Sequence, residues 1–388
     1  MLYRKLAEDI SVSILGFGAM RLPLIGGTQS TVDSFNPAKL IDEEATQSMV
    51  DYAIEHGVNY FDTAYNYHGG KSEVVLGKVL KPYRDKVIIA TKLPVFSVTV
   101  EDDFTRILDE QLERLKTTYL DVYLLHGLNE HTWAKVRDLG VLKFLDRIQK
   151  DGRVRHVGFS FHDTISEFKI IVDSYNWAIC QIQYNYLDEQ FQAGQEGLEY
   201  AAAKGIGVVV MEPLRGGKLA HVPKEVQILW DASPDKKNPA EWSLRWVWNH
   251  REVSTVLSGM SSLDQVRENV RAAEGAKVSS LSILDLALVK QAREVYRKMF
   301  KVDCTGCSYC MPCPAGVNIP SNMALYNDVL VFNDPSGVMV YNAFLSPEQK
   351  ASSCTECGEC EGKCPQNIQI REELKKVHLT LHREPAES

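Results

Sequence analysis

Asp62, Tyr67, Lys92 and His126 are the side chains in this sequence best suited to moving a proton. Asp62 closes the short apolar run 58–64, which passes through polar residues to Gly69 and Gly70, and Tyr67 lies in the loop beyond. Lys92 closes the run 86–92 and His126 the run 120–126. Singly, each has a plain structural use: a helix cap, a solvated loop lysine, a hydrogen-bonded rim histidine. Together, at the ends of consecutive runs, they form a proton-handling set. A free tyrosine, with a pKa of about 10, is a poor acid at neutral pH. A neighbouring ammonium favours the phenolate and lowers that value. A carboxylate keeps the ammonium charged and in place, and the histidine orients an electrophilic oxygen. Such a set gives a proton to a developing alkoxide, and adding hydride to a carbonyl creates one.

The second chemical signal is sulfur. Of nine cysteines, Cys180 stands alone and eight lie beyond residue 303. They form two runs, Cys304-x2-Cys307-x2-Cys310-x2-Cys313-Pro314 and Cys354-x2-Cys357-x2-Cys360-x3-Cys364-Pro365. The second matches the bacterial ferredoxin spacing and the first is one residue short before its last cysteine. Zinc sites use Cys-x2-Cys knuckles well separated in sequence, so the compact runs favour iron–sulfur. Two such runs hold two [4Fe–4S] clusters, the fourth cysteine of each reaching across to the other. That rule groups Cys304, Cys307, Cys310 and Cys364 on one cluster, and Cys354, Cys357, Cys360 and Cys313 on the other.

The elements that must position these groups alternate. Apolar runs at 13–22, 58–64, 86–92, 120–126, 155–160, 177–184, 206–211 and 253–258 are separated by helical patterns at 42–56, 71–80, 104–115, 133–150, 164–175, 195–204, 239–249 and 263–273. Near-continuous apolar strands between helices imply a parallel sheet with both faces covered. Eight repeats over this length imply a closed (β/α)8 TIM barrel, whose chemistry sits at the C-terminal strand ends. Gly16-Phe17-Gly18 lacks the third glycine of a dinucleotide fingerprint, since Arg21 stands there, and reads as a tight turn. Residues 1–275 are expected to form the barrel, 276–300 a connecting helix, and 301–388 a small, mainly α-helical cysteine domain with helices near 322–332 and 347–352. Ser262 and Gln265 suggest a capping box. Trp242, Trp246 and Trp248 read as packing, Cys180 as a buried hydrophobe, and His378 and His382 as one face of a solvated helix.

The chain of 388 residues is 45% hydrophobic, with a net charge of −8. That balance argues against a nucleic-acid partner or an acidic membrane surface. With no signal-peptide pattern at Met-Leu-Tyr-Arg-Lys and no run long enough to span a bilayer, a soluble cytoplasmic protein is expected.

The motifs Phe61-Asp62-Thr63-Ala64-x-x-Tyr67, Ala90-Thr91-Lys92 and Leu124-Leu125-His126 resemble those of the aldo-keto reductase family across roughly the first 275 residues. The resemblance implies an extended nicotinamide cofactor at the barrel mouth, with Tyr67 as general acid, Lys92 tuning it, Asp62 holding Lys92 and His126 placing the carbonyl. It also implies Ser160 and Gln181 at the carboxamide, Met211 under the nicotinamide ring, and Leu214, Gly216, Gly217 and Lys218 around the diphosphate. Gly259, Gln265 and Asn269 fall in its adenosine-phosphate segment. The basic residues many members place there are here Gly259 and Gln265, so NADPH is expected on family grounds with NADH an open alternative. The cysteine region resembles all-helical dicluster ferredoxins. The expected function is an NAD(P)H-dependent oxidoreductase acting on a small-molecule carbonyl, with two clusters that serve structure or transfer electrons to a redox protein partner. The alternative is a nicotinamide-binding redox sensor or an electron-transfer protein whose cysteine domain docks a partner.

Overall fold

The computed structural model describes residues 1–26, 38–307, 309–332 and 334–382. Residues 383–388, the end of the expected cysteine domain, lie outside that set. The chain forms two compact units, Met1–Val222 with Ser233–Leu286, and Pro223–Ala232 with Ala287–Ser388. The division therefore runs through a helix, Ile283–Met299, rather than at its ends.

The first unit begins with an antiparallel hairpin, Tyr3–Ala7 (β1) and Ile10–Ser13 (β2). The expected single run 13–22 thus splits, and only Leu15–Gly18 (β3) enters the barrel. The other barrel strands are Tyr60–Asp62 (β4), Ile88–Leu93 (β5), Leu120–Leu128 (β6), Val154–Phe161 (β7), Ile179–Gln183 (β8), Gly207–Met211 (β9) and Val253–Ser258 (β10). They close in the order β10-β3-β4-β5-β6-β7-β8-β9, every pairing parallel. The hairpin packs at the N-terminal end of the barrel. A Cβ on Gly207, the first residue of β9, would lie 1.9 Å from the Leu6 carbonyl oxygen, so only glycine fits there. The opposite, C-terminal rim is left for chemistry.

The helices around the strands are Glu43–Glu55 (α1), Lys71–Val79 (α2), Asp102–Arg114 (α3), Glu130–Asp138 (α4), Val141–Lys150 (α5), Ile165–Asp173 (α6) and Gly194–Ala203 (α7). Lys224–Ala232 (α8) groups with the second unit, and Pro239–Trp248 (α9) and Leu263–Ala273 (α10) complete the first. Asp42 caps α1 by accepting from the Ala45 N–H. The expected helix 133–150 is two, because Gly140 takes the left-handed conformation at φ 86° and turns the chain between α4 and α5. On α3, Phe104, Ile107, Leu108 and Leu115 are buried as the periodicity implies, but so is Gln111, while Leu112 is half-buried. The tryptophans of α9 are buried, and Trp248 donates to the Ile14 carbonyl at 2.7 Å. Cys180 is fully buried inside β8.

The second unit is helical: Ile283–Met299 (α11), Ile319–Phe332 (α12), Ser336–Ala343 (α13) and Ile370–Leu381 (α14). The stretch expected as a helix near 347–352 is two short 3-10 turns, Pro347–Gln349 and Ala351–Ser353. Its core joins Val317, Ile319, Met323, Tyr341, Ile370, Leu374, Val377 and Leu381. His378 is not simply solvated: its Nδ1 meets the Tyr341 hydroxyl at 2.9 Å, and its ring stacks on His382 at 4.7 Å.

Candidate active site and cysteine centre

The ends of β4, β5 and β6 bring the four proton-handling residues together. Pairing of Asp62 with Ala90 and of Lys92 with Leu124 puts the two strand ends side by side. The Lys92 ammonium donates to Asp62 Oδ1 at 2.6 Å and to the Thr63 carbonyl at 2.7 Å, with no exposure to solvent. Tyr67 is 9% exposed, its ring centroid 5.1 Å from Lys92 Nζ and 6.0 Å from the His126 ring, edge to face. Phe96, 52% exposed, has its ring centroid 6.0 Å from that of His126 and supplies an apolar wall.

Burial dominates the electrostatics. It pushes the Tyr67 phenol above its ordinary value, and the pull of Lys92 in the opposite direction does not overcome it. The expectation of a lowered phenol pKa is therefore corrected in net direction, though Lys92 acts in the sense foreseen. Burial also works to lower the Lys92 ammonium, but Asp62 and Tyr67 together outweigh it and hold the group charged. Burial and the Lys92 charge keep His126 well below the ordinary histidine range, so its imidazole is neutral.

Polar groups on the neighbouring helices fix the lysine strand. Glu73 on α2 is fully buried and accepts from Thr91 Oγ1 at 2.6 Å, Gln111 Nε2 at 2.7 Å and Arg114 Nη1 at 3.1 Å. Gln111 Nε2 also donates to the Lys92 carbonyl at 3.0 Å, and its Oε1 accepts from the Tyr123 hydroxyl at 2.8 Å. Next to Tyr67, His68 is buried at φ 52° and its Nε2 accepts from the Leu22 N–H at 3.2 Å. Burial lowers its pKa to about 4. None of these supports was foreseen. On a helix, Glu73 and Gln111 are indistinguishable by spacing from solvated residues.

The expected cofactor residues line the neighbouring rim from β7 to α10. Ser160 pairs with Gln181 across β7 and β8, and Gln183 with Met211 across β8 and β9. Ser160 Oγ accepts from the Gly127 N–H at 2.8 Å. Among the described residues, Gln181 Nε2 reaches only Met211 Sδ, at 3.5 Å, and its Oε1 is buried with no partner. Leu214 and Lys218 are half-buried, and Gly216 and Gly217 hold φ of 68° and 97°. Gln265 Oε1 accepts from the Ser261 N–H at 2.8 Å while its own N–H donates to Ser262 Oγ, so the return half of the expected capping box falls on Ser261. Asn269 donates to Ser258 Oγ at 2.9 Å and fixes the same segment. Gly259 is exposed beside it.

In the second unit, Cys304, Cys307, Cys310 and Cys364 line one cavity with Ile319, Met323, Ile368 and Ile370. Cys360, in turn, feels Cys354 and Cys313 as its neighbouring thiols. Among the described residues, no three His, Cys, Asp or Glu side chains form a single-ion site. The two cysteine runs share one backbone design. Cys313-Pro-Ala-Gly316 and Cys364-Pro-Gln-Asn367 both end in the left-handed conformation, at φ 80° and 52°. Each turn closes by an N–H to the cysteine carbonyl three residues back, at 2.9 and 3.1 Å, and each leads into a helix, α12 or α14. Gly306 and Glu356, one residue before Cys307 and Cys357, are likewise left-handed. Two buried amides of α12 hold the lead-in segments. Asn327 Oδ1 accepts from the Lys301 and Val302 N–H groups, and Asn322 Oδ1 accepts from the Ala351 N–H at 3.0 Å.

The model of the aldo/keto reductase family matches residues 15–291, well over half of the chain. The chain belongs to the aldo-keto reductase family. A 4Fe-4S dicluster domain model matches residues 303–369. Among named relatives, L-galactose dehydrogenase of Arabidopsis thaliana is 28% identical over 68% of this chain and 85% of its own length. The NADH-specific methylglyoxal reductase of Escherichia coli (strain K12) is 24% identical over 75% of this chain and 97% of its own. The solved holo form of aldo-keto reductase AKR11C1 from Bacillus halodurans superimposes with a TM-score of 0.62 at 27% identity, covering 75% of this chain and 96% of that one. The protein is thus an aldo-keto reductase-type oxidoreductase with a ferredoxin-type domain, from a family that uses NAD(P)H and acts on small carbonyl compounds. Among the described residues no helix is long and apolar enough to cross a membrane.

The reductase rim fits a nicotinamide dinucleotide on its own features. The orphaned Gln181 Oε1 is a buried acceptor that needs an N–H donor such as a carboxamide. In the loop after β9 the left-handed Gly217 donates its N–H to the Leu214 carbonyl at 2.9 Å, and the Arg215 N–H donates to the Glu212 carbonyl at 3.0 Å. The cysteines fit iron clusters by the chemistry of the donor set. Burial, with neighbouring thiols adding to it, pushes Cys304 up to about 11 and Cys310 up to about 12. Such crowded thiols become thiolates only beside strong positive charge.

Proposed function

We propose that the barrel interconverts a small-molecule carbonyl and its alcohol by hydride transfer with NADPH or NADH, using Tyr67 as proton donor. We further propose that the eight cysteines hold two [4Fe–4S] clusters, grouped as Cys304, Cys307, Cys310 with Cys364 and as Cys354, Cys357, Cys360 with Cys313. The observation that carries the barrel reading is the buried Lys92–Asp62 contact of 2.6 Å under the Tyr67 ring. Bound nicotinamide supplies the hydride, and each cluster gives or takes one electron. Tyr67 holds its proton at neutral pH because burial keeps the phenol raised. Lys92 lowers the cost of the phenolate left after donation, and Asp62 balances Lys92. Neutral His126 directs a ring N–H at the substrate oxygen without competing for the proton. Phe96 shields that oxygen from water.

Ser160 and Gln181 would hold the carboxamide, Met211 the nicotinamide ring, and residues 214–218 the diphosphate. Gly259, Gln265 and Asn269 shape the adenosine end, and Gly259 and Gln265 bring no basic side chain to a 2′-phosphate. The relative named as NADH-specific supports keeping NADH beside NADPH. Because nicotinamide moves two electrons together and a cluster moves one, the clusters stand outside the hydride step and serve structure or a redox protein partner. A cytoplasmic location suits such a partner.

The test is anaerobic. Reconstituted protein is mixed with NADPH or NADH, with and without small aldehydes and ketones, while nicotinamide and cluster absorbance are followed together. Carbonyl-dependent nicotinamide oxidation with unchanged cluster absorbance is expected. Absence of carbonyl-dependent oxidation with every compound and both nucleotides counts against the barrel reading.

A further inference from the structure

We infer that Ser160 and Gly127 are positioning residues for His126: the serine hydroxyl pins a bulge in β6 that fixes where the imidazole stands at the mouth. The inference rests on the reductase reading above, in which His126 directs a ring N–H at the substrate oxygen, and adds to it what holds that histidine. Along β6, Val122 and Leu124 join the barrel core with Tyr60 and Ala90, while Tyr123 reaches outward to Gln111 on α3. The same alternation sends His126 inward. The register then slips. Leu125 pairs with Phe159 and Leu128 with Phe161, so His126 and Gly127 together oppose the single residue Ser160. A bulge of this kind re-aims a side chain beside a site.

The ring has little else to turn it. The buried His126 Nδ1 has no partner among the described residues, and the rings of Tyr67 and Phe96 each lie with their centroids 6.0 Å away. The backbone does the holding. Ser160 Oγ accepts from the Gly127 N–H at 2.8 Å, and Thr132 Oγ1 donates to the Gly127 carbonyl at 3.4 Å. Beyond the bulge the His162 N–H donates to the Leu128 carbonyl at 3.0 Å, and normal pairing resumes. A Cβ on Gly127 would meet nothing within 4 Å, so its φ of 67°, and not lack of space, calls for glycine. Ser160 is buried, and accepting from Gly127 leaves its own O–H to donate to a carboxamide oxygen. One hydroxyl thereby ties the histidine strand to the nicotinamide end of the rim.

The test uses full-length cluster-loaded protein as wild type, Gly127→Ala, Gly127→Asn and Ser160→Ala, each with and without His126→Ala. Single-turnover oxidation of NADPH or NADH by small aldehydes and ketones reads the hydride step, and nicotinamide fluorescence reads nucleotide affinity. Gly127→Ala is expected to slow the hydride step about ten- to hundredfold with affinity retained. Gly127→Asn, which tolerates the left-handed region, is expected to stay close to wild type. Ser160→Ala should lose both rate and affinity. In the His126→Ala background, Gly127→Ala should cost nothing more and Ser160→Ala only affinity. An unchanged hydride step in Gly127→Ala overturns the inference, as does a slowing of equal size without His126, or Gly127→Asn as slow as Gly127→Ala. Should the Gly127 variants fail to fold, an equal loss of rate from Ser160→Ala with and without His126 overturns it. Should wild type oxidise neither nucleotide with any carbonyl compound, the reductase reading fails, and crystal structures of the variants decide the positioning alone. A His126 ring displaced by at least about 1 Å in Gly127→Ala or Ser160→Ala supports it, and an unmoved ring overturns it.

Discussion

The barrel rim and the cysteine unit solve the same problem, holding charge away from water, in opposite ways. At the rim, Lys92 and Asp62 neutralise each other at 2.6 Å, and Glu73, Thr91 and Gln111 hold their strand by direct hydrogen bonds. In the cysteine unit, thiols face thiols across an apolar cavity, and burial raises Cys304 and Cys310 rather than ionising them. A rim of that kind is ordered before any ligand arrives. A thiol cavity of that kind is completed only by positive charge, so its order depends on its metal.

The largest expected effect follows from that contrast. Chelating the iron should expose the amides of α12 and α14 to rapid hydrogen exchange while the amides of β5 and β6 stay protected. Equal loss of protection in both units would break the comparison. Next in size is Lys92→Met, which leaves the buried Asp62 carboxylate uncompensated and should cost about 3–5 kcal/mol in denaturant unfolding. Adding Asp62→Asn should recover much of that loss. In whatever folds, removing the Lys92 ammonium lets the Tyr67 phenol rise further, so the alkaline limb of the pH–rate profile should move upward.

His68 sharpens the comparison by acid. Its folded pKa of about 4 lies below the unfolded value near 6.5, so the unfolded chain takes up the proton first. The contribution is fully present above pH 6.5 and is lost as the pH falls toward 4, by about 3 kcal/mol in all. His68→Gln should flatten that stretch of the stability profile. The smallest effects should come from Asn322→Ala and Asn327→Ala, about 1–3 kcal/mol each. Each amide holds one lead-in segment, so each variant should lose one cluster preferentially, read from the iron content and the EPR spectrum.

The rim was legible in the sequence because Asp62, Lys92 and His126 close apolar runs and Tyr67 follows one in the loop, and strand ends in a (β/α)8 barrel are where side chains face the mouth. The cysteine runs were legible because their spacing is the signal. What escaped notice depends on packing. Gln111 and Glu73 lie on helices where spacing does not separate a buried network from a solvated face. The run 13–22 hid a hairpin end, because β2 and β3 differ only in their partners. The pattern 133–150 is periodic across Gly140, and only its left-handed φ shows the break. Asn322 and Asn327 reveal their use only through segments distant in sequence. The net effect of burial and charge on Tyr67 required knowing that both act at once, and burial proved the larger.

The central claim is that Tyr67 gives the proton at the rim. The most direct measurement compares Tyr67→Phe with wild type in single-turnover oxidation of NADPH or NADH by a carbonyl compound, with nucleotide affinity determined on the same samples. The account predicts a loss of at least about a hundredfold in the hydride step with nucleotide affinity retained. A hydride step of equal rate in Tyr67→Phe would contradict it.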